Sequence, residues 1–244
     1  MNRGVFLITQ ARIKSTRLPS KILLEIMGIP LIVLFIERLL QMKQIDGIII
    51  ATTDDSDGRK IESVVKKYYP QVLFFFGSES NVLDRYYQAA KKYSAKHIVR
   101  ITSDCPLLDP ELSDLVIQKY FENKVDYCAN NLPPKTYAHG LDTEVFSFAS
   151  LEKAWKEAKL PAEFEHVTPY LRNNPSIFSH LSVSDSSKST LNNRWTLDYL
   201  EDYKLIEQIY LHLYKKNPKF RTKDILDLLE KIPTLKSINL NHYV

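Results

Sequence analysis

The run GIIIA at positions 47–51 is apolar without a break, and it constrains the fold more than any other stretch of the chain. A strand with one face in water alternates apolar and polar side chains. An unbroken β-branched run must be covered on both faces, as a central strand is when helices lie on either side of its sheet. Further apolar-rich runs repeat the theme at 5–8, 72–76 and 97–102. Between them lie stretches with helical spacing: LIVLFIERLLQ at 31–41, a helix after TTDDSD, and one that Asn81 caps and that runs to about Tyr93. Asp109 followed by Pro110 signals another start, because the Asp side chain accepts from free amides and proline fits the first helical position. Strands and helices alternating in this way predict an α/β domain around a largely parallel sheet.

Regularity falls off after 125–128. Residues 130–140 read as a Pro- and Asn-rich loop, TEVFSF at 143–148 as a strand, and FEHVTPYLRNNP at 164–175 as a short helix. From Leu200 helical spacing returns, with Tyr203, Ile206, Tyr210 and Leu213 on one face as core or dimer interface, and a last helix follows at 223–231. With no internal repeat, low-complexity stretch or linker, one domain over 1–244 is expected, carrying an inserted segment at about 130–185 that faces substrate and offers a dimer contact.

A chain of this length buries roughly 70–75% of its unfolded surface and needs neither metal nor disulfide to hold a core. Its net charge of +4 is spread along the sequence rather than gathered in a basic stripe, which argues against nucleic-acid binding. Cys105 and Cys128 have neither metal-ligand spacing nor the density of a secreted scaffold, so a reducing cytoplasm is the expected setting. No run of about 18 apolar residues is present, and no membrane span is expected.

The chemistry concentrates at strand ends. In an open α/β sheet, loops converge beyond the carboxyl ends of the strands, and ligands bind there. QARIKSTRLPSK at 10–21 follows the first strand and carries Arg12, Lys14, Arg17 and Lys21. Four such charges also occur on ordinary solvated loops. The position after the first strand, the hydroxyls of Ser15, Thr16 and Ser20, and the stiffening Pro19 favour a polyphosphate cradle. The loop lacks both the P-loop and the dinucleotide glycine patterns. Asp104 ends the strand at 97–102, and Asp198 precedes the helix at Leu200. Either can be a turn cap; together they make a minimal Mg²⁺ site, since Mg²⁺ often takes one or two carboxylates and completes its shell with phosphates and water.

QARIKSTRLPSKILLEIMGIPLI resembles the opening of the sugar-activating cytidylyltransferases, especially the 3-deoxy-manno-octulosonate and acylneuraminate enzymes and the spore-coat polysaccharide biosynthesis protein F group. FFGSESNVLDRYYQAAKKY, VRITSDCPLLDPELSDLVI, GLDTEVFSFASLEKAW, EHVTPYL and RWTLDYLEDYKLI continue the resemblance in order, from residue 5 to about 210. It implies a Rossmann-like nucleotidyltransferase of the glycosyltransferase-A type, with a mostly parallel mixed sheet flanked by helices. The implied reaction joins CTP to an acidic sugar, giving a CMP-sugar and pyrophosphate for surface polysaccharide or glycan assembly, in a cytoplasmic homodimer. Carried over position by position, Arg12, Arg17, Lys21 and Asp104 act in catalysis. Ala11, Ser15 and Arg85 join them around the nucleotide; Asp142, Glu144 and His166 face the sugar; Asp104 and Asp198 hold Mg²⁺. Two positions depart from the pattern. Lys14 and Ser20 stand where the family usually has glycine, and either brings its amide to phosphate only if its φ is negative. The change can alter affinity or cost activity, or the added charge of Lys14 can compensate.

Overall fold

The runs at 5–8, 47–51 and 97–102 lie side by side in the structure, a computed structural model that describes residues 3–242. They are β1 (Val5–Gln10), β4 (Gly47–Thr53) and β6 (His97–Arg100), with β1 in the middle and parallel to both neighbours. A seven-stranded sheet grows outward from this trio. β5 (Leu73–Gly77) flanks β4, while β8 (Glu144–Ser147), β7 (Tyr127–Ala129) and β9 (His180–Ser182) follow β6 in that order. Only β8 runs against the rest, pairing antiparallel with β6 and β7, so the sheet is mixed but mostly parallel.

Alternation along the strands feeds two layers. Val5, Leu7, Ile48, Ile50, Val99 and Val145 pack under α1 (Leu31–Leu39), α2 (Ser56–Tyr68) and α4 (Pro110–Asn123). Ile8, Ile49, Ala51, Ile98 and Phe146 face the other way, toward α3 (Val82–Lys92), α5 (Phe148–Glu157), α6 (Pro161–His166) and α7 (Pro169–Asn173). Every side chain of the 48–51 run is buried, as its composition requires. The predicted caps form: Asn81 Oδ1 accepts from Asp84 N at 2.9 Å, and Asp109 Oδ1 from Glu111 N at 3.0 Å.

A third apolar cluster lies beyond the sheet. α8 (Leu200–Leu213) and α9 (Thr222–Lys231) pack with Ile26, Leu34, Trp195 and Leu197, and Ile206 and Tyr210 are core within it. Several local expectations are corrected. The helix at 31–41 stops at Leu39, and the strand at 97–102 stops at Arg100, where the chain turns out to form the site. The helix at 164–175 is two, broken at Val167, whose φ of 70° no helix accommodates. A small hairpin of β2 (Glu25–Ile26) and β3 (Ile29–Pro30) was not legible, because its turn uses Met27 and Gly28 at φ 55° and 75° rather than the Asn-Gly or Asp-Gly pair that announces such a turn. Among the described residues no helix is long and apolar enough to cross a membrane.

Residues 194–198 are threaded between two loops. Trp195 N donates to His139 O at 2.7 Å and Leu197 N to Asp104 O at 2.8 Å. Gly140 makes the first of these approaches feasible: its φ is 108°, and an added Cβ would lie 2.5 Å from Trp195 C. Gly140→Ala should therefore cost about 2 kcal/mol or more, lowering Tm by roughly 4–8 °C. Thermal unfolding checks this, and an unchanged Tm would show that the two loops separate without cost.

Candidate active site

The loops that leave β1 and β6 emerge next to each other because the strands pair directly, and between them opens a cavity of about 240 Å³. Ala11, Arg12, Ser15, Arg17 and Lys21 line it from the first loop, Asp104 from the second, Arg85 from α3, His166 from the end of α6 and Asp198 from the segment before α8. Nine residues named from the sequence thus share one concave surface. The two aspartates, which sequence alone could not bring together, face a single cation.

That cation is Lys21. Its Nζ donates to Asp104 Oδ2 at 3.2 Å, Asp198 Oδ1 at 3.0 Å and Leu197 O at 2.7 Å. Arg17 Nη2 adds a contact to Asp198 Oδ1 at 3.2 Å, and its guanidinium lies over the Tyr199 ring, 5.2 Å from the centroid. From below, Arg194 Nη2 reaches Asp198 Oδ2 at 3.1 Å while its Nε holds Asp202 Oδ1 at 3.0 Å. Asp202 is fully buried, accepts from the amides of Asp198 and Tyr199 at 2.9 and 3.0 Å, and is steadied by Asn239 Nδ2 at 2.9 Å. Burial alone would raise the Asp198 carboxyl, but Lys21, then Arg17 and Arg194, outweigh it and hold the group below its ordinary range. Burial likewise opposes the charge on Lys21, and Asp104 and Asp198 overcome it, so its pKa is raised. Asp104 is oriented by its own turn, where Thr102 Oγ1 donates to Oδ1.

Two predicted sugar residues lie elsewhere. Glu144 is 2% exposed, and Arg100, Tyr127 and Thr168 take its carboxylate. On β8 it shares the Phe146 face, under the helices, so it braces the sheet and does not line the cavity. Asp142 binds Gly140 N at 3.0 Å through Oδ2 and is also outside the lining. Thr16, named with Ser15 for its hydroxyl, also lines the cavity, and so do Gln10 and Glu165, which were not singled out. Glu165 adjoins His166, and Arg12 Nη2 lies 4.0 Å from its Oε1. Arg194 was also missed, although its place four residues before Asp198 and eight before Asp202 is a readable charge pattern. Arg85 is buried, its Nη1 donating to Ser78 O and to Glu79 O at 3.2 Å; burial, assisted by Arg12, lowers its pKa. Cys105 is a buried filler whose thiol burial and Asp104 push well above its ordinary value.

The two glycine substitutions behave differently from expectation. Lys14 turns its ammonium away from the cavity, to Glu79 at 3.5 Å and Asp55 at 3.8 Å, so it adds no charge to the lining. Ser20 adopts the left-handed conformation a glycine would take, with φ 57° and ψ 21°, at the start of the turn that aims Lys21.

The sequence profile described as cytidylyltransferase matches residues 6–231. The chain belongs to the cytidylyltransferase family. A Methanocaldococcus jannaschii protein named only as uncharacterized protein MJ1063 is 39% identical over 236 residues, spanning 96% of this chain and 93% of the relative. The spore coat polysaccharide biosynthesis protein SpsF of Bacillus subtilis is 32% identical over 240 residues, 96% of each chain. A solved cytidylyltransferase from Leptospira borgpetersenii superposes with a TM-score of 0.89 at 30% identity, covering 99% of this chain and 98% of that one. This cytidylyltransferase is thus a CTP-dependent nucleotidyltransferase by family, on a nucleotidyltransferase fold.

Ser20 gives this cytidylyltransferase a testable cost. A left-handed non-glycine residue is strained by roughly 1–2 kcal/mol, and glycine returns part of that as unfolded-chain entropy. Ser20→Gly should stabilise the fold by about 0.5–1 kcal/mol, read as a higher urea midpoint at unchanged slope. A lower midpoint would mean that the hydroxyl contributes more than the strain costs.

Proposed function

We propose that the protein transfers CMP from CTP to an acidic sugar, releasing pyrophosphate, as a step in surface polysaccharide or glycan biosynthesis. The observation that carries this is the meeting, in one cavity, of Arg12, Arg17 and Lys21 from the β1 loop with Asp104 and Asp198. Cations on a strand-to-helix loop suit a triphosphate. Arg17, with half of its side chain exposed, is free to turn its planar fork onto phosphate oxygens. The sugar acid and the polysaccharide setting are supported by the motif resemblance and by the kinship with SpsF.

The sugar hydroxyl attacks the α-phosphorus in line and releases its proton to water, an oxygen–phosphorus bond forms, and the bond to the β-phosphate breaks with its electron pair going to pyrophosphate. Charge accumulates on the leaving oxygens. Arg12, Arg17 and Lys21 stabilise it once the bound triphosphate has fixed them on its oxygens, before the bond breaks. The acceptors around the Lys21 nitrogen are two carboxylates and a backbone carbonyl, an all-oxygen set that fits Mg²⁺. Among the described residues no group of three or more His, Cys, Asp or Glu side chains could hold a metal, so phosphates and water would complete the shell of an ion on Asp104 and Asp198. Such an ion would neutralise phosphate charge when bound. His166 and Glu165 border the same cavity and would contact the acceptor sugar.

Asp104→Asn should keep the fold and lower kcat/KM by on the order of 100-fold or more, since it removes one of two carboxylates from the charge-neutralising site. Pyrophosphate release measured with four nucleotides, crossed with sugar acids and neutral sugar phosphates, should show turnover with CTP and a sugar acid. UTP should be at least tenfold poorer, because a pocket that accepts from the cytosine amine faces a carbonyl instead, a mismatch of ~1–3 kcal/mol. Faster turnover with UTP or a purine nucleotide, or full activity in Asp104→Asn, would contradict the assignment.

A further inference from the structure

Lys21 stands where the metal would stand. All three N–H donors of its ammonium are used, on Asp104 Oδ2, Asp198 Oδ1 and Leu197 O, at 3.2, 3.0 and 2.7 Å, and its side chain is only 13% exposed. An Mg²⁺ ion on the same carboxylate oxygens would sit at roughly 2.0–2.1 Å from them. Two cations cannot share that position, because each would bring its full charge to within about van der Waals contact of the other in a partly buried site. We propose that Lys21 is a built-in counter-ion that closes the carboxylate pair to divalent cations until the nucleotide triphosphate draws it away. The inference rests on Asp104 and Asp198 being the metal carboxylates of the proposed reaction.

The surroundings are arranged for such an exchange. Asp198 keeps Arg194 on Oδ2 at 3.1 Å, so it is not stranded without a cation when Lys21 leaves and Arg17 turns to the phosphates. Asp104 has Thr102 on Oδ1 and Lys21 on Oδ2, so withdrawal of Lys21 opens one oxygen pointing into the cavity. The incoming triphosphate supplies what Lys21 gives up: several charged oxygens for one mobile ammonium on a flexible stem. Lys21 follows the left-handed Ser20 and begins the turn Lys21–Leu23, which fixes its backbone while the side chain swings. Divalent metal therefore enters with or after the phosphates, and the nucleotide-free enzyme holds none at this pair.

Mn²⁺ binding, followed by electron paramagnetic resonance of the free ion, tests this without turnover. Nucleotide-free wild type should show no binding attributable to the carboxylate pair, whereas Lys21→Met should bind one Mn²⁺ at least tenfold more tightly. Adding Asp104→Asn to Lys21→Met should abolish the gain. Lys21→Gln provides a second uncharged variant should the Met side chain disturb the fold, which circular dichroism would report. Wild type that binds Mn²⁺ without nucleotide as tightly as Lys21→Met overturns the proposal while leaving the metal site standing. If neither Lys21 variant binds Mn²⁺, and wild type with CTP holds no more Mn²⁺ than CTP alone, the metal assignment itself fails and the proposal with it.

Discussion

The parallel pairing of β1 with β6 is the constraint from which the site follows. Ile8 stands opposite Arg100, the last residue of β6, and β1 runs two residues further to Gln10, so their loops share the space above one end of the sheet. One loop is basic, the other presents Asp104. Their charges meet because the strands do, over a separation of 83 residues between Lys21 and Asp104. The third contributor, Asp198, arrives on a segment pinned to Asp104 by Leu197 N and to His139 by Trp195 N. Gly140 and the third apolar cluster are thus as necessary to the site as the sheet itself.

The charge cluster is built at a cost to stability. Lys21 and Asp198 are each nearly nine-tenths out of solvent, and desolvation opposes the charge of both. Buried pairs of this kind offset their desolvation only when every hydrogen-bonding position is used, and they are poor evidence of stabilisation. Arg194, Asp202 and Asn239 supply the remaining partners, which explains why a buried ion network surrounds Asp198. Strain at Ser20 belongs to the same pattern: local backbone cost is tolerated at the turn that positions a functional cation.

The core of the fold was legible because it depends on short-range regularities. A short β-branched run bounded by polar turns reads as a covered strand, and Asn81 and Asp109 cap helices by contacts two or three residues away. What escaped was set by tertiary context. β8 is a strand by composition, yet nothing in TEVFSF says that it runs against its neighbours or sets Phe146 opposite Ile98, the register that puts Glu144 beneath helices. The Met27–Gly28 hairpin carries no conventional turn pair. At the site, position after a strand pointed to Arg12, Arg17, Lys21 and Asp104, and the family resemblance supplied the roles expected of them. The partnership of Arg194 with Asp198 lay in the spacing but competed with the more familiar reading of Arg as surface charge. Lys14 shows the converse: a cation inside the right loop whose side chain points to Glu79 and Asp55.

The claim at the centre of this account is that CTP binds where the β1 loop, the β6 turn and the segment before α8 converge. Hydrogen exchange followed by mass spectrometry, with and without CTP and Mg²⁺, addresses it without reliance on any variant. Protection concentrated in residues 11–22, 101–105 and 194–199 is the predicted result. Protection centred elsewhere, or none at nucleotide concentrations that saturate turnover, would contradict it.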